Sequence, residues 1–144
     1  MATHSARAEW RGDLAGGSGR ASLDSGAAPE LEMTWKGRVE GESGMSSPEE
    51  LLAAAHASCF SMALSHELAE AGTPPDRVSV SAAVSIEPVE GGFGVKRSEL
   101  SVTGSVPGID AETFTKAAVA AAKGCPISGA LSGNVDISVD ATLE

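Results

Sequence analysis

The chain contains two cysteines, Cys59 and Cys125, whose thiols are capable of redox chemistry. Cys59 lies in the middle of a long apolar stretch, where a cysteine is most often an inert, packed side chain. Cys125 lies between Gly124 and Pro126, where the backbone N–H groups of a short helical turn would favour a thiolate. From the residues alone, Cys125 can equally be an ordinary loop thiol.

Two other uses of the cysteines stay open at this level. A structural disulfide between them would restrict the unfolded chain by roughly 4 kcal/mol, although a reducing cytosol disfavours a permanent bridge. A zinc ion could be held by His56, Cys59, His66 and Cys125, because the first two are three residues apart and can share a helix face. No Cys-x-x-Cys pair supports a zinc site, and we expect neither a metal nor another cofactor.

A carboxylate could influence Cys59 from the same helix. Glu49 is ten residues before Cys59 and can share its side of a helix, whereas Glu50 lies on the opposite face. A carboxylate alone would raise the pKa of a thiol, so Glu49 is useful to Cys59 only if it holds a cation. Arg38 is one candidate for that cation, although on sequence alone it can equally be a surface charge.

A long helix is predicted to carry Cys59. Ser47 can cap it, Pro48 suits its first position, and Glu50 completes a capping box. The helix should run to Gly72. It is apolar nearly all round, so it should be buried on more than one side. One sheet of so small a chain covers one side only, and a second subunit could cover the other, which predicts a homodimer.

The remaining elements are predicted to be mostly strands. Residues 1–45 should form short strands split by glycine clusters, with one over Ala8 and Trp10 and a second extended stretch over Met33, Trp35 and Val39. Residues 78–87 and 100–106 alternate apolar with polar side chains, and the turn between them should lie at residues 90–92. Asp110 should cap a helix to Lys123, and a last strand should span residues 135–143.

The order of these elements is strands, helix, two strands, helix, strand. It predicts an α+β fold with helices packed on an antiparallel sheet, in a single domain over residues 1–144. The formal net charge of -10 disfavours nucleic acid and anionic membranes as partners. No apolar stretch reaches the length of a membrane helix, and Met1 to Trp10 lacks a signal core, so we expect a cytoplasmic protein.

Two motifs resemble those of a known family. Residues 47–64, SPEELLAAAHASCFSMAL, resemble the central-helix motif of the OsmC/Ohr family of osmotically induced and organic hydroperoxide resistance proteins. Residues 124–128, GCPIS, are similar to the second-cysteine motif of that family. Shorter similarities occur at residues 8–12, 37–42 and 106–110. His56 favours the OsmC branch, and the two cysteine motifs together are highly specific.

The resemblance implies an OsmC-like fold, with antiparallel sheets packed around a long central helix in an intertwined homodimer. It implies that Cys59 is the peroxidatic thiolate and Cys125 the resolving thiol. It further implies that Arg38 stabilises the thiolate and that Glu49 orients Arg38.

The expected function is that of a thiol-dependent peroxidase in the response to oxidative and osmotic stress. It would reduce organic hydroperoxides, and hydrogen peroxide less well, and an external thiol or dithiol would restore it. The alternatives are a redox-sensing domain and a structural stress-response domain, neither of which turns over substrate.

Overall fold

The computed structural model describes residues 1–144, and the chain divides into two compact units, residues 1–51 and 52–144. The single domain expected over residues 1–144 stays a prediction. The first unit contains a three-stranded antiparallel sheet and a short helix. Its elements are β1 (Ala6–Arg11), β2 (Ser18–Leu23), β3 (Leu31–Met33) and α1 (Trp35–Glu40).

Helix α1 departs from the sequence prediction. Met33 is in a strand as predicted, but Trp35 and Val39 lie on α1 and not in an extended stretch. Thr34 caps the helix, since its Oγ1 accepts a hydrogen bond from the Gly37 N–H at 2.9 Å. A helix of six residues has fewer than two turns, which is too short to show a helical period in the sequence.

Helix α2 (Pro48–Glu70) begins and ends close to the predicted limits. Ser47 caps it, because its Oγ accepts a hydrogen bond from the Glu50 N–H at 3.0 Å. Gly72 follows the helix with a φ of 81°, the left-handed conformation that glycine adopts without strain. The strong local start and stop signals explain why this helix was predictable.

The second unit contains the other sheet and two further helices. Its elements after α2 are β4 (Arg77–Val89), β5 (Gly92–Ser105), α3 (Ala111–Gly124), α4 (Pro126–Leu131) and β6 (Asp136–Leu143). The hairpin between β4 and β5 turns at Glu90 and Gly91, as predicted, and Val89 pairs with Gly92. Asp110 caps α3 as predicted, accepting a hydrogen bond from the Thr113 N–H at 2.8 Å.

The α+β class is confirmed, but one strand pair differs from the expected antiparallel arrangement. Strand β6 pairs in parallel with β5, with Leu100 opposite Val139. The connection from β5 to β6 passes through α3 and α4, and such a crossover carries the chain from the end of β5 to the opposite end of the sheet, so that β6 starts beside Arg97. Periodicity gives the faces of a strand but not its direction, so the sequence could not indicate this pairing.

The core of the second unit lies between α2, α3 and the sheet. Fully buried side chains from α2 contact those of β5 and α3: Phe60, Leu64, Leu68, Leu100, Val102, Phe114, Ala118 and Ala121. Along α2, the buried residues recur every four positions, which aligns them on one face. No helix of the chain combines the length and the apolar character that crossing a membrane requires.

The expected burial of α2 on more than one side is not met within a single chain. His56 and Phe60 are fully buried, while Met62, on another face of the same helix, is 68% exposed. Ala54, Ser58 and His66 are exposed as well. This chain therefore leaves one face of its long helix uncovered.

Gly104 of β5 allows the Phe114 ring to enter the core, and Gly104→Ala should destabilise the protein. An added Cβ would lie 2.4 Å from Phe114 Cζ, and Phe114 is fully buried. Overpacking of this kind costs about 1–3 kcal/mol in the free energy of unfolding. Urea denaturation should show a lower midpoint with an unchanged slope.

Gly129→Ala in α4 is a matched control, because no atom lies within 4 Å of the added methyl group. It should leave the free energy of unfolding unchanged or raise it by up to about 1 kcal/mol, since alanine favours helix more than glycine does. Equal stability of the two variants would contradict the role given to Gly104.

Candidate thiol active site

Cys59 and Cys125 come together in the second unit, although they are far apart in the sequence. Both cysteines are free, and each lies close enough to the other to change its pKa. Cys59 lies on the core-facing side of α2 and is partly exposed, whereas Cys125 is only 1% exposed. The two predicted redox residues therefore form a pair, with one accessible sulfur and one shielded sulfur.

The local backbone places Cys125 at the start of α4. Cys125 is the residue before Pro126, the first residue of the helix, and it caps both the end of α3 and the start of α4. The Cys125 side chain makes no capping hydrogen bond, but the backbone at Ile127 and Ser128 acts to lower the pKa of Cys125, and the backbone at Ile127 acts to lower that of Cys59. This effect agrees with the predicted favouring of a thiolate at the start of a helix.

The two thiols differ in acidity. Burial and the hydrogen bond to Cys125 both raise the pKa of Cys59, and the backbone at Ile127 only partly opposes them. Burial also raises the pKa of Cys125, but the hydrogen bonds from Cys59, Ser128 and the backbone together bring it below its ordinary value. Within this chain, the first proton therefore leaves Cys125, while Cys59 keeps its own and donates it to the Cys125 sulfur.

A buried histidine, His56, is connected to this cysteine pair through Ser128, and it was not among the catalytic residues predicted from the sequence. His56 Nε2 lies 2.8 Å from Ser128 Oγ, and His56 Nδ1 lies 2.6 Å from Ser98 Oγ. All three side chains are buried, and the Ser128 hydroxyl is close enough to Cys125 to lower the pKa of that thiol. A signal was present in the sequence, because Ser128 follows Cys125 by three residues and His56 precedes Cys59 by three, the spacing of one helical turn.

Arg38 and Glu49, the other two predicted site residues, are paired in the first unit. Arg38 of α1 holds the Glu49 carboxylate through two nitrogens, with Nη2 to Oε1 at 2.7 Å and Nε to Oε1 and Oε2 at 3.2 Å. The Arg38 Cζ atom also lies 5.9 Å from the centre of the Trp35 ring. Because the Glu49 side chain is only 7% exposed, its charge depends on this cation for compensation.

Gly37 sets the position of Arg38 on α1. An added Cβ at Gly37 would meet Met45 Cβ and Thr34 Oγ1 at 3.0 Å each, so α1 sits against the loop that precedes α2 without room for a side chain. The Arg38 side chain keeps one nitrogen, Nη1, outside the contacts with Glu49. A guanidinium held in this way can present a fixed donor to a further anion.

The two histidines of the zinc alternative lie in different surroundings. His56 uses both of its ring nitrogens in hydrogen bonds to serine hydroxyl groups, and His66 is exposed. No group of three or more His, Cys, Asp and Glu side chains is arranged to hold a metal ion.

An α+β fold that brings two free cysteines together can support thiol redox chemistry. Residues 41–140 match the model of the family described as OsmC-like protein. The chain belongs to this family.

Its relatives are named as a peroxiredoxin and as organic hydroperoxide resistance proteins. The chain is 42% identical to peroxiredoxin OsmC of Escherichia coli (strain K12) over 131 residues, which cover 91% of each protein. It is 32% identical to the organic hydroperoxide resistance protein of Xanthomonas axonopodis pv. citri (strain 306) over 126 residues, or 86% of each. The crystal structure of OhrB of Bacillus subtilis superposes with a TM-score of 0.75 at 30% identity, covering 96% of this chain and 98% of that one. The protein is therefore an oxidoreductase of the peroxidase type.

Proposed function

We propose that this protein reduces organic hydroperoxides to alcohols through a sulfenic acid at Cys59 and a disulfide between Cys59 and Cys125. The observation that carries the proposal is the closeness of these two thiols, each of which changes the pKa of the other, because it puts a second thiol within reach of whatever forms on the first. Cys59 is assigned the attack on peroxide since it is the more exposed of the two sulfurs.

The chemistry balances in three steps. The Cys59 thiolate attacks the distal oxygen of the hydroperoxide, the O–O bond breaks, and the alkoxide leaves as an alcohol after taking up a proton. Cys125 then attacks the sulfur of the sulfenic acid, the S–O bond breaks, and hydroxide leaves as water with the proton of the Cys125 thiol. Two thiols of an external reductant reduce the disulfide by exchange and are themselves oxidised.

Arg38 and Glu49 are included in the proposal as the charged part of the site. A three-unit fall in the pKa of a thiol raises its thiolate fraction at neutral pH roughly 30-fold, but its nucleophilicity falls about 20-fold. Lowering the pKa of the thiol therefore gives little net gain in its rate of attack on peroxide. We assign to Arg38 the stabilisation of charge on the leaving oxygen and the placing of the peroxide, and to Glu49 the orientation of Arg38.

The surroundings of Cys59 favour an organic substrate. Cys59 packs against the core cluster that contains Phe60 and Leu64, and an apolar setting suits an alkyl group better than it suits hydrogen peroxide. We expect kcat/KM for tert-butyl hydroperoxide to exceed that for hydrogen peroxide by about tenfold or more, in line with burial of a few methyl groups. Steady-state loss of each peroxide, with a small dithiol as reductant, measures both values.

Two outcomes of this assay would count against the proposal in different ways. Equal values for the two peroxides would remove the preference for organic substrates. A stoichiometric loss of peroxide without turnover would instead point to a redox sensor.

The proposal also includes a homodimer in the cytoplasm. Support for the dimer comes from the uncovered face of α2, where Met62 is 68% exposed although the helix is long and apolar. A cytoplasmic setting fits a cycle that needs a supply of reducing thiols.

A further inference from the structure

His56 and Ser128 form a buried polar connection to Cys125 that the proposed cycle does not yet use. Hydrogen bonds join Ser98 Oγ to His56 Nδ1 at 2.6 Å and His56 Nε2 to Ser128 Oγ at 2.8 Å, and the Ser128 hydroxyl, three residues after Cys125, acts to lower the pKa of that thiol. Ser98 and His56 are 0% exposed and Ser128 is 4% exposed. Such a histidine costs free energy to bury, so its contacts have to be fully made.

The protons available on these side chains fix which group donates in each hydrogen bond. A thiolate sulfur can only accept hydrogen bonds, so Ser128 must donate its single hydroxyl proton to Cys125. Ser128 Oγ then has to accept from a protonated His56 Nε2, and the unprotonated Nδ1 has to accept from the Ser98 hydroxyl. Only one tautomer of a neutral imidazole satisfies every contact when Cys125 is ionised.

We propose that Ser128 is a catalytic residue of the disulfide-forming step and that His56 is the residue that positions it. The Ser128 hydroxyl stabilises the negative charge on Cys125 Sγ once the thiol proton has left, and that charge passes to the departing hydroxide, which takes up the proton as water, when the S–S bond forms. His56 prevents the hydroxyl from turning towards another acceptor. This inference rests on the proposed peroxidase cycle, since it concerns the attack of Cys125 on the sulfenic acid of Cys59.

Two observations on acidity agree with this assignment. The hydrogen bond from Ser128 is one of the contacts that lower the pKa of Cys125. Burial lowers the pKa of His56, so the imidazole stays neutral at physiological pH and acts through its tautomer rather than by storing a proton.

The groups able to influence the titration of Cys125 are few. The Cys59 thiol and the His56 imidazole on α2 are the titratable groups connected to it by hydrogen bonds. On the neighbouring elements, the charged side chains are exposed: Lys123 on α3, Arg97 and Glu99 beside Ser98 on β5, and Asp136 and Asp140 on β6. Helix α4 carries no charged residue. Replacing Ser128 therefore changes the near surroundings of Cys125 without removing a charge.

The first test titrates Cys125 alone and needs no peroxide. In a Cys59→Ser background, the absorbance of the thiolate near 240 nm reports Cys125, because the chain contains no tyrosine to ionise in the same range. Adding Ser128→Ala should raise the midpoint of this titration by about one unit, the effect of one charge-assisted hydrogen bond. Ser128→Thr keeps the hydroxyl and should restore the midpoint. Ser132→Ala, at the exposed end of α4, is the matched control and should not move it.

The second test follows disulfide formation in single turnover after one equivalent of tert-butyl hydroperoxide. At neutral pH, Ser128→Ala should still form the sulfenic acid, and it should form the disulfide about threefold more slowly, because a tenfold loss of Cys125 thiolate is partly offset by higher nucleophilicity. At pH well above the midpoint, the variant should match or exceed the wild type. A structural role alone would slow the step equally at every pH.

The outcomes separate the two proposals. An unchanged midpoint in Ser128→Ala, or a uniform slowing at all pH values, would overturn the role of Ser128 whether or not the enzyme turns over. A shifted midpoint with no sulfenic acid in the wild type would leave the hydrogen bond supported and overturn the peroxidase cycle. His56→Gln supplies a second variant and should shift the midpoint in the same direction as Ser128→Ala.

Discussion

Replacing Cys59 with serine should abolish peroxide turnover, whereas replacing Cys125 with serine should still allow one oxidation at Cys59. After one equivalent of tert-butyl hydroperoxide, intact mass should show the loss of two hydrogen atoms in the wild type. Cys125→Ser should gain one oxygen atom, as a sulfenic acid that a 1,3-dicarbonyl reagent traps. Cys59→Ser should show no change in mass.

Acidity favours Cys125 as the attacking sulfur, whereas accessibility favours Cys59. The surroundings within the chain lower the pKa of Cys125 and raise that of Cys59, so Cys125 is the first of the two thiols to ionise. Yet Cys125 is 1% exposed, and a hydroperoxide has to reach the sulfur that it oxidises. The closeness of the two thiols resolves this conflict, since moving one proton from Cys59 to Cys125 transfers the charge to the accessible sulfur.

The opposite result would reverse the assignment. If Cys59→Ser gained an oxygen atom and Cys125→Ser did not, Cys125 would be the attacking residue. Retained turnover in both variants would exclude the two-thiol cycle. Double replacement of both cysteines is the control for oxidation elsewhere in the chain, at methionine for example.

The parts of the molecule that could be predicted from sequence are those fixed by local signals. The Ser47 cap and Gly72 limit α2, and Asp110 begins α3, because caps act within one turn of the helix that they end. The pairing of Cys59 with Cys125 came from family resemblance, since no local pattern links residues on different helices. Ser98 was beyond reach for the same reason, since it comes from a strand distant in the chain, whereas the spacing of Ser128 from Cys125 and of His56 from Cys59 was a usable signal.

Other features depend on the way distant segments meet. Trp35 and Val39 alternate as in a strand, but the Thr34 cap and the close approach of Gly37 to Met45 hold this segment in a helix. Strand β4 alternates as predicted up to an irregularity between Ser85 and Ile86, where the register against β5 shifts. Sequence patterns describe which face of a segment is apolar but leave its neighbours undetermined.

Arg38→Lys should lower kcat/KM for an organic hydroperoxide by about 100-fold, a loss of about 2.7 kcal/mol of transition-state stabilisation. Lysine keeps the charge, so a large loss would show that the shape of the guanidinium matters and not only its charge. Arg38 engages Glu49 through Nε and Nη2 and keeps Nη1 for another acceptor, and the single nitrogen of an ammonium group cannot reproduce this planar geometry with separate nitrogens for the two acceptors. Steady-state kinetics with tert-butyl hydroperoxide and a dithiol measure the loss.

The control is Arg20→Lys, which changes an arginine in an exposed ion pair with Glu30 and should leave kcat/KM unchanged. Urea denaturation of both variants shows whether the buried Glu49 has lost its compensation, which would lower stability in Arg38→Lys only. Full activity in Arg38→Lys would refute the proposed role, because a point charge would then suffice. Activity lost in proportion to the folded fraction would make Arg38 a structural partner of Glu49 and nothing more.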